Sequence, residues 1–99
     1  MQYIIIAKDY KRNGLKNRLA VRKEHIKLGD RLKAEGKLLF GVALLDRNGQ
    51  MTGSVYIMDF YNRKELDGWL KTEPYVTGKV WQKIEINPCK VGPSFEKML

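Results

Sequence analysis

NRLAVRKEHIKLGDRLKAEGKLLF, Asn17 to Phe40, carries the pattern around which the rest of the chain is arranged. Wound as a helix at roughly 100° per residue, it sets Leu15, Leu19 and Ile26 along one border of a broad apolar face, and Val21, Leu28 and Leu32 along the other. Arg18, Arg22, His25 and Gly29, spaced by four, three and four residues, stack in one line between those borders. Two cations and the only imidazole of the chain therefore stand where a structural helix would carry leucine. Burying such groups without partners costs several kcal/mol, so the helix is expected to cover a polar pocket. Function is sought in that pocket.

The helix runs from near Leu15 to about Glu35, and Gly36 stands where a left-handed C-cap is wanted. Before it, Gln2 to Lys8 reads as a central strand, because three isoleucines follow Tyr3 without a polar interruption. Asp9 to Gly14 is a polar turn. After the helix, Lys37 to Asp46 is a second strand, apolar on both faces and interrupted by Gly41, which marks a bulge or a close approach of ligand or backbone. Asn48-Gly49 predicts a type I′ hairpin into the alternating strand Met51 to Phe60, which points Ser54, Tyr56, Met58 and Phe60 one way. Asn62 and Glu65 form a capping-box pair for a second helix ending near Thr72, before Pro74. Lys79 to Asn87 is the last strand, with Val80, Ile84 and Ile86 on one face and Trp81 on the other. Residues 88–99 form a C-terminal tail in which Phe95 and Leu99 are expected to dock locally.

The order β-α-β-β-α-β is that of the split βαβ, a ferredoxin-like α+β sandwich with two helices on one face of a four-stranded antiparallel sheet. The other face of the sheet is also apolar and has nothing of its own chain to cover it. Closure against a second copy follows, giving a homodimer or a higher oligomer. Ninety-nine residues cannot bury two cores, so a single domain spanning residues 1–99 is expected.

Composition narrows the partners. Nineteen Lys and Arg against eleven Asp and Glu give a net charge of +8, a field that favours anions. The cations are spread around the first helix rather than gathered on an aromatic-interleaved stripe, so no specific nucleic acid is expected. No apolar run is long enough to span a bilayer, and none is followed by a cleavage signal. The reading is therefore a cytoplasmic protein without a membrane partner. One cysteine, Cys89, and one histidine cannot build a tetrahedral zinc site. No Gly-x-Gly-x-x-Gly turn is present to cradle a nucleotide, and no cofactor is expected.

The chemistry then rests on Arg22-x-x-His25. An arginine one turn away can hold a carboxylate or phenolate, while an imidazole exchanges a proton near neutral pH. A histidine on an apolar face also has the bland reading of a hydrogen-bonded core residue. Arg18 either faces the same pocket or lies at the open end of the helix in water. A general-base histidine needs a carboxylate to hold its tautomer, and the candidates are Asp30, Asp59, Asp67 and Glu73. Glu73 stands out because Thr72-Glu73-Pro74-Tyr75 is a rigid chain reversal able to fix a side chain over the sheet edge, although it also reads as a surface helix-end charge. Ser54 either faces the same pocket or is a strand serine without a duty.

Arg18-Leu19-x-Val21-Arg22-x-x-His25, Gly36-Lys37-Leu38-Leu39 leading to Gly41, Gly49-x-Met51-x-Gly53-Ser54, and Glu73-Pro74-Tyr75 followed by the strand to Pro88 occur in order over almost the whole chain. Together they resemble the YciI-like (YCII domain) family. The resemblance implies a dimeric α+β barrel, of the superfamily that includes muconolactone isomerase and small heme-free monooxygenases. It also implies a pocket in which the helix histidine and the aspartate of an Asp-Pro pair are the proposed active residues. Most of the family has no established activity, and one branch eliminates chloride from chlorinated hydroxyhydroquinones. Here the Asp-Pro aspartate is replaced by Glu73, the usual Gly-Pro after the second strand by Gly41-Val42, and the aromatic expected after Pro88 by Cys89. The function this implies is a lyase- or isomerase-type enzyme with catalytic His25 and Glu73, and with Arg22, Ser54 and Arg18 binding a small anionic or phenolic substrate, chlorinated aromatics among them. The alternative is a non-catalytic dimeric accessory module that binds a small anion.

Overall fold

A computed structural model describes residues 1–98 of the chain. The elements follow as β1 (Gln2–Asp9), α1 (Gly14–Ala34), β2 (Leu38–Leu45), β3 (Met51–Asp59), α2 (Arg63–Leu70), α3 (Pro74–Thr77), β4 (Trp81–Cys89) and a 3₁₀ turn over Pro93–Met98. The strands form one antiparallel sheet in the order β2-β3-β1-β4, the ferredoxin-like arrangement. β1 is central, flanked by β3 and β4, as its isoleucine run predicts.

Alternation assigns the two faces. Tyr3, Ile5 and Ala7 of β1 pair with Met58, Tyr56 and Ser54 of β3, and all six are buried under the helices. Leu32 of α1, Leu66 and Trp69 of α2, and Tyr75 of α3 close that core. Gly36 does cap α1 with a left-handed φ of 75°. The capping pair of α2 forms in half: the Asn62 side chain accepts from the Glu65 amide at 2.9 Å, whereas the Glu65 carboxylate reaches the amide of Tyr61 rather than that of Asn62.

Five expectations need correction. The α1 border of Leu19 and Ile26 does not enter the core, and these residues are 57% and 43% exposed because the helix rolls its Arg18–Leu32 line onto the sheet. Trp81 shares the inner face with Ile84 and Ile86. A bulge opposite Lys8 and Asp9 skips Gln82 and reverses the parity that simple alternation assigns. The β2–β3 turn is not type I′, since Gly49 alone has positive φ (79°) while Asn48 does not. The Asp46 carboxylate instead accepts from the amides of Asn48 and Gln50, and Gly49 donates to the Asp46 carbonyl, a three-residue loop over Arg47-Asn48-Gly49 in place of the two-residue one, next to the register shift at Leu45. Phe95 does not dock but is 59% exposed, and Leu99 lies outside the described residues. Finally, the predicted second helix stops at Leu70, β4 both starts and ends two residues later than expected, and Pro74 starts a short helix of its own, with Glu73 as its N-cap.

The second face of the sheet carries Ile4 and Ile6 of β1, Val55 and Ile57 of β3, and Phe40 and Val42 of β2. Phe40 and Val42 stand 57% and 45% exposed, for β2 is an edge strand with a neighbour on one side only.

Candidate functional site

The site is assembled from α1, β2, β3 and the α2–α3 corner. His25, on the sheet-facing line of α1, reaches Glu73, whose side chain is 2% exposed. Oε1 of Glu73 accepts from Nδ1 of the imidazole and, at 3.2 Å, from the Tyr75 amide. Oε2 accepts from the Trp69 indole at 3.2 Å. Pro74 fixes the backbone just beyond, and both oxygens of this carboxylate are engaged before a ligand arrives. The imidazole lies flat on the Tyr75 ring, centroids 3.7 Å apart and planes 9° from parallel. Its Nε2 is 2.9 Å from the Tyr56 hydroxyl. With Nδ1–H given to a carboxylate, Nε2 of the neutral ring is the acceptor and Tyr56 the donor.

Arg18 is not in water. It is 1% exposed, and its guanidinium grips Asp9 with two hydrogen bonds of 2.7 and 2.8 Å. A third bond of 2.9 Å runs to the Ser54 hydroxyl, which also accepts from the Trp81 indole at 3.3 Å, and the guanidinium sits 4.6 Å above the Tyr75 ring. Burial alone pulls against the Arg18 charge, but the hydrogen bond and charge of Asp9 outweigh it and hold the guanidinium above its ordinary pKa. Arg18 and Ser54 thus form a floor whose polar atoms are largely committed to one another. Tyr56 shows the opposite chemistry, since burial pushes its phenol well above the usual tyrosine value, and the Glu73 charge adds to the effect. This hydroxyl keeps its proton throughout the neutral range.

Over these groups lies a cavity of about 390 Å³ between α1 and the β2–β3 ladder, lined among others by Arg18, Arg22, His25, Gly29, Gly41, Ser54 and Tyr56. Arg22 stands at its exposed rim, where it donates to the Met51 sulfur at 3.4 Å, and it makes no ion pair among the described residues. Gly41 is not the bulge, but it does line the cavity that a ligand would enter. The register shift falls at Leu39, and a Cβ on Gly41 would meet the Tyr56 ring at 2.6 Å. Glycine is there because the ring is.

Of the four carboxylates weighed for His25, only Glu73 touches it. Asp59 holds the N-terminal amine, Asp67 pairs with Arg63 across one turn of α2, and Asp30 is exposed at the cavity rim. Sequence reasoning missed Asp9, Tyr56, Trp69, Tyr75 and Trp81 as site members. Two of them carried a readable signal: Asp9 continues the inward alternation Tyr3-Ile5-Ala7, and Tyr56 shares parity with Ser54. Cys89 lies at the far end of β4, where burial raises its thiol pKa. Among the described residues no group of three His, Cys, Asp or Glu is placed to hold a metal, and no helix is long and apolar enough to cross a membrane.

The chain is 35% identical over 96 residues to an uncharacterised protein of Haemophilus influenzae, covering 91% of this chain and 97% of that protein. It is 32% identical over 96 residues to protein YciI of Escherichia coli, with the same coverage, 91% and 97%. Among solved structures, 5-chloro-2-hydroxyhydroquinone dehydrochlorinase (TftG) of Burkholderia phenoliruptrix, in complex with 2,5-dihydroxybenzoquinone, superposes with a TM-score of 0.82 at 23% identity, over 95% of this chain and 98% of that one. An antibiotic biosynthesis monooxygenase superposes with a TM-score of 0.53 at 20% identity, over 94% of this chain and all of the other. At these identities the two structures speak for the fold. The sequence model of the YCII-related domain matches residues 1–90, and with it the chain belongs to the YCII-related family.

Proposed function

We propose that this protein is a small lyase- or isomerase-type enzyme that moves a proton on an anionic or phenolic substrate bound in the 390 Å³ cavity. One observation carries the reading: the only histidine of the chain lines that cavity with Nδ1 held by a buried carboxylate. Such a pair fixes the ring's tautomer and stabilises the imidazolium that forms when the ring takes a proton. In this reading His25 is the acid-base group and Glu73 orients it. Arg22, without an ion pair among the described residues, holds the anionic end of the substrate at the rim, while Arg18 and Ser54 shape the floor. The chlorinated aromatic class is favoured because a fold neighbour is a dehydrochlorinase solved with a dihydroxybenzoquinone. The protein acts as a homodimer, closed through the apolar second face of its sheet.

The test is a screen of wild type and His25→Ala against chlorinated dihydroxyaromatics and unsaturated lactones, read as chloride release or loss of substrate absorbance. Turnover by wild type, reduced on the order of 10²-fold or more in the variant, is the expected result. Equal rates in the two proteins would remove His25 from the mechanism.

A further inference from the structure

Both nitrogens of the His25 ring are engaged. Nδ1 belongs to Glu73, and Nε2 is 2.9 Å from the Tyr56 hydroxyl. A ligand in the cavity therefore meets Nε2 only by displacing that hydroxyl or by acting through it. Tyr56 is poorly free to move away. Its ring is packed 5.9 Å from Trp81, it is 9% exposed, and Gly41 leaves so little clearance that even a methyl group there would collide with it.

We infer that Tyr56 is the group that exchanges a proton with the bound ligand, passing it to and from His25 as the outer member of a Tyr56-His25-Glu73 chain. The inference rests on the proton-transfer reading above and adds to it the atom that touches the substrate. The step balances without a co-reactant. A ligand O–H bond breaks as its proton joins the Tyr56 oxygen, the Tyr56 proton moves to Nε2, and the ring becomes an imidazolium against the Glu73 carboxylate. The ligand keeps the electron pair and leaves the step as an anion, accepting a hydrogen bond from the reformed Tyr56 hydroxyl. The reverse sequence delivers a proton. The logic is that of a hydroxyl, an imidazole and a carboxylate in series, with a phenol in place of the serine. Burial, which keeps Tyr56 protonated, suits it to pass a proton on rather than to store charge.

The probe is 4-nitrophenol, whose absorbance reports its own ionisation, added to wild type, Tyr56→Phe and His25→Ala at a pH where the free phenol is protonated. Wild type should bind it as the phenolate. Tyr56→Phe should bind it with the phenolate fraction reduced roughly tenfold, the loss of one hydrogen bond to a charged group. Nitrogen NMR of the single histidine gives the second readout, which a merely structural tyrosine would not move: the probe should convert the ring to the doubly protonated form in wild type but not in Tyr56→Phe. If Tyr56→Phe ionises the probe as well as wild type while His25→Ala does not, Nε2 takes the proton itself; the inference falls and the functional reading stands. If wild type neither binds nor ionises the probe, the functional reading falls and takes the inference with it. A Tyr56→Phe protein that does not fold still leaves the NMR of ligand-free wild type. There, a ring in the Nδ1–H form with Nε2 as acceptor supports the chain, and a ring with its proton on Nε2 overturns it.

Discussion

Asp9 and Arg18 are both buried, and each is the other's main compensation. Removing one leaves an uncompensated buried charge, so Asp9→Ala should destabilise the fold by about 3–5 kcal/mol, read from denaturant midpoints at equal protein concentration. Glu73→Gln tests the partner of the imidazole. An amide can donate as well as accept, so the variant should lose the single tautomer of His25 in nitrogen NMR, and proton-transfer turnover should fall on the order of 10²–10⁴-fold. Tyr56 sets a pH dependence. Its folded-state value is raised, so its contribution to stability is complete below the unfolded tyrosine value of about 10 and is lost as pH climbs above it. The slope is at most about 1.4 kcal/mol per pH unit. Melting temperatures taken upward from about pH 10 should therefore fall more steeply for wild type than for Tyr56→Phe, since the lysines titrate alike in both.

The elements bring these residues together through two glycines of opposite kind. Gly41 on β2 faces the Tyr56 ring, and an added Cβ would lie 2.6–2.7 Å from two of its carbons. Gly41→Ala should cost about 1–3 kcal/mol by overpacking and push the hydroxyl off Nε2. Gly29 on α1 also lines the cavity, yet its nearest neighbour for such a carbon is a Leu38 methyl at 3.6 Å, an ordinary contact. Gly29→Ala should accordingly be tolerated, with a gain of up to about 1 kcal/mol in helix propensity. Thermal denaturation of the two variants side by side checks the contrast. Element types were legible from pattern because burial by a helix or strand imposes its own period on the apolar residues. Ends and turns were not. The Asp46 carboxylate, just outside the Asn-Gly dipeptide, decided the hairpin geometry, and a bulge in β4 against the distant strand β1 turned Trp81 inward.

At the scale of the molecule, the second sheet face is the main unsatisfied surface. Ile4, Ile6, Val55, Ile57, Phe40 and Val42 form a contiguous apolar face on the side of the sheet away from the helices. A second copy closing over it should bury on the order of 2,000 Å² in total, the size of obligate interfaces. Sedimentation equilibrium at micromolar concentration should then give about twice the 11.5 kDa chain mass, and the melting temperature should rise with concentration. Ile57→Lys, which sets a charge in the middle of the patch, should shift the protein toward 11.5 kDa. A wild-type chain that stays at 11.5 kDa while folded would show that another segment covers the face.

Element order, the central place of β1 and the inward placing of Arg18, His25 and Gly29 are legible in the chain, because apolar periodicity is a local property and each helix or strand must bury the face it writes, although Arg22 of the same line stays exposed. His25 and Glu73 were both singled out from their neighbours in the chain, the one by helical spacing and the other by the Pro74 reversal. Their meeting, 48 residues apart, was decided by the tertiary structure. So were the neutralisation of Arg18 by Asp9, the seat of Tyr56 on Nε2 and the exposure of Leu19 and Ile26. Each depends on the roll of α1 across the sheet. That roll is set by the summed fit of Leu32, Tyr75 and the β1–β3 side chains, and no stretch of the sequence encodes such a sum locally.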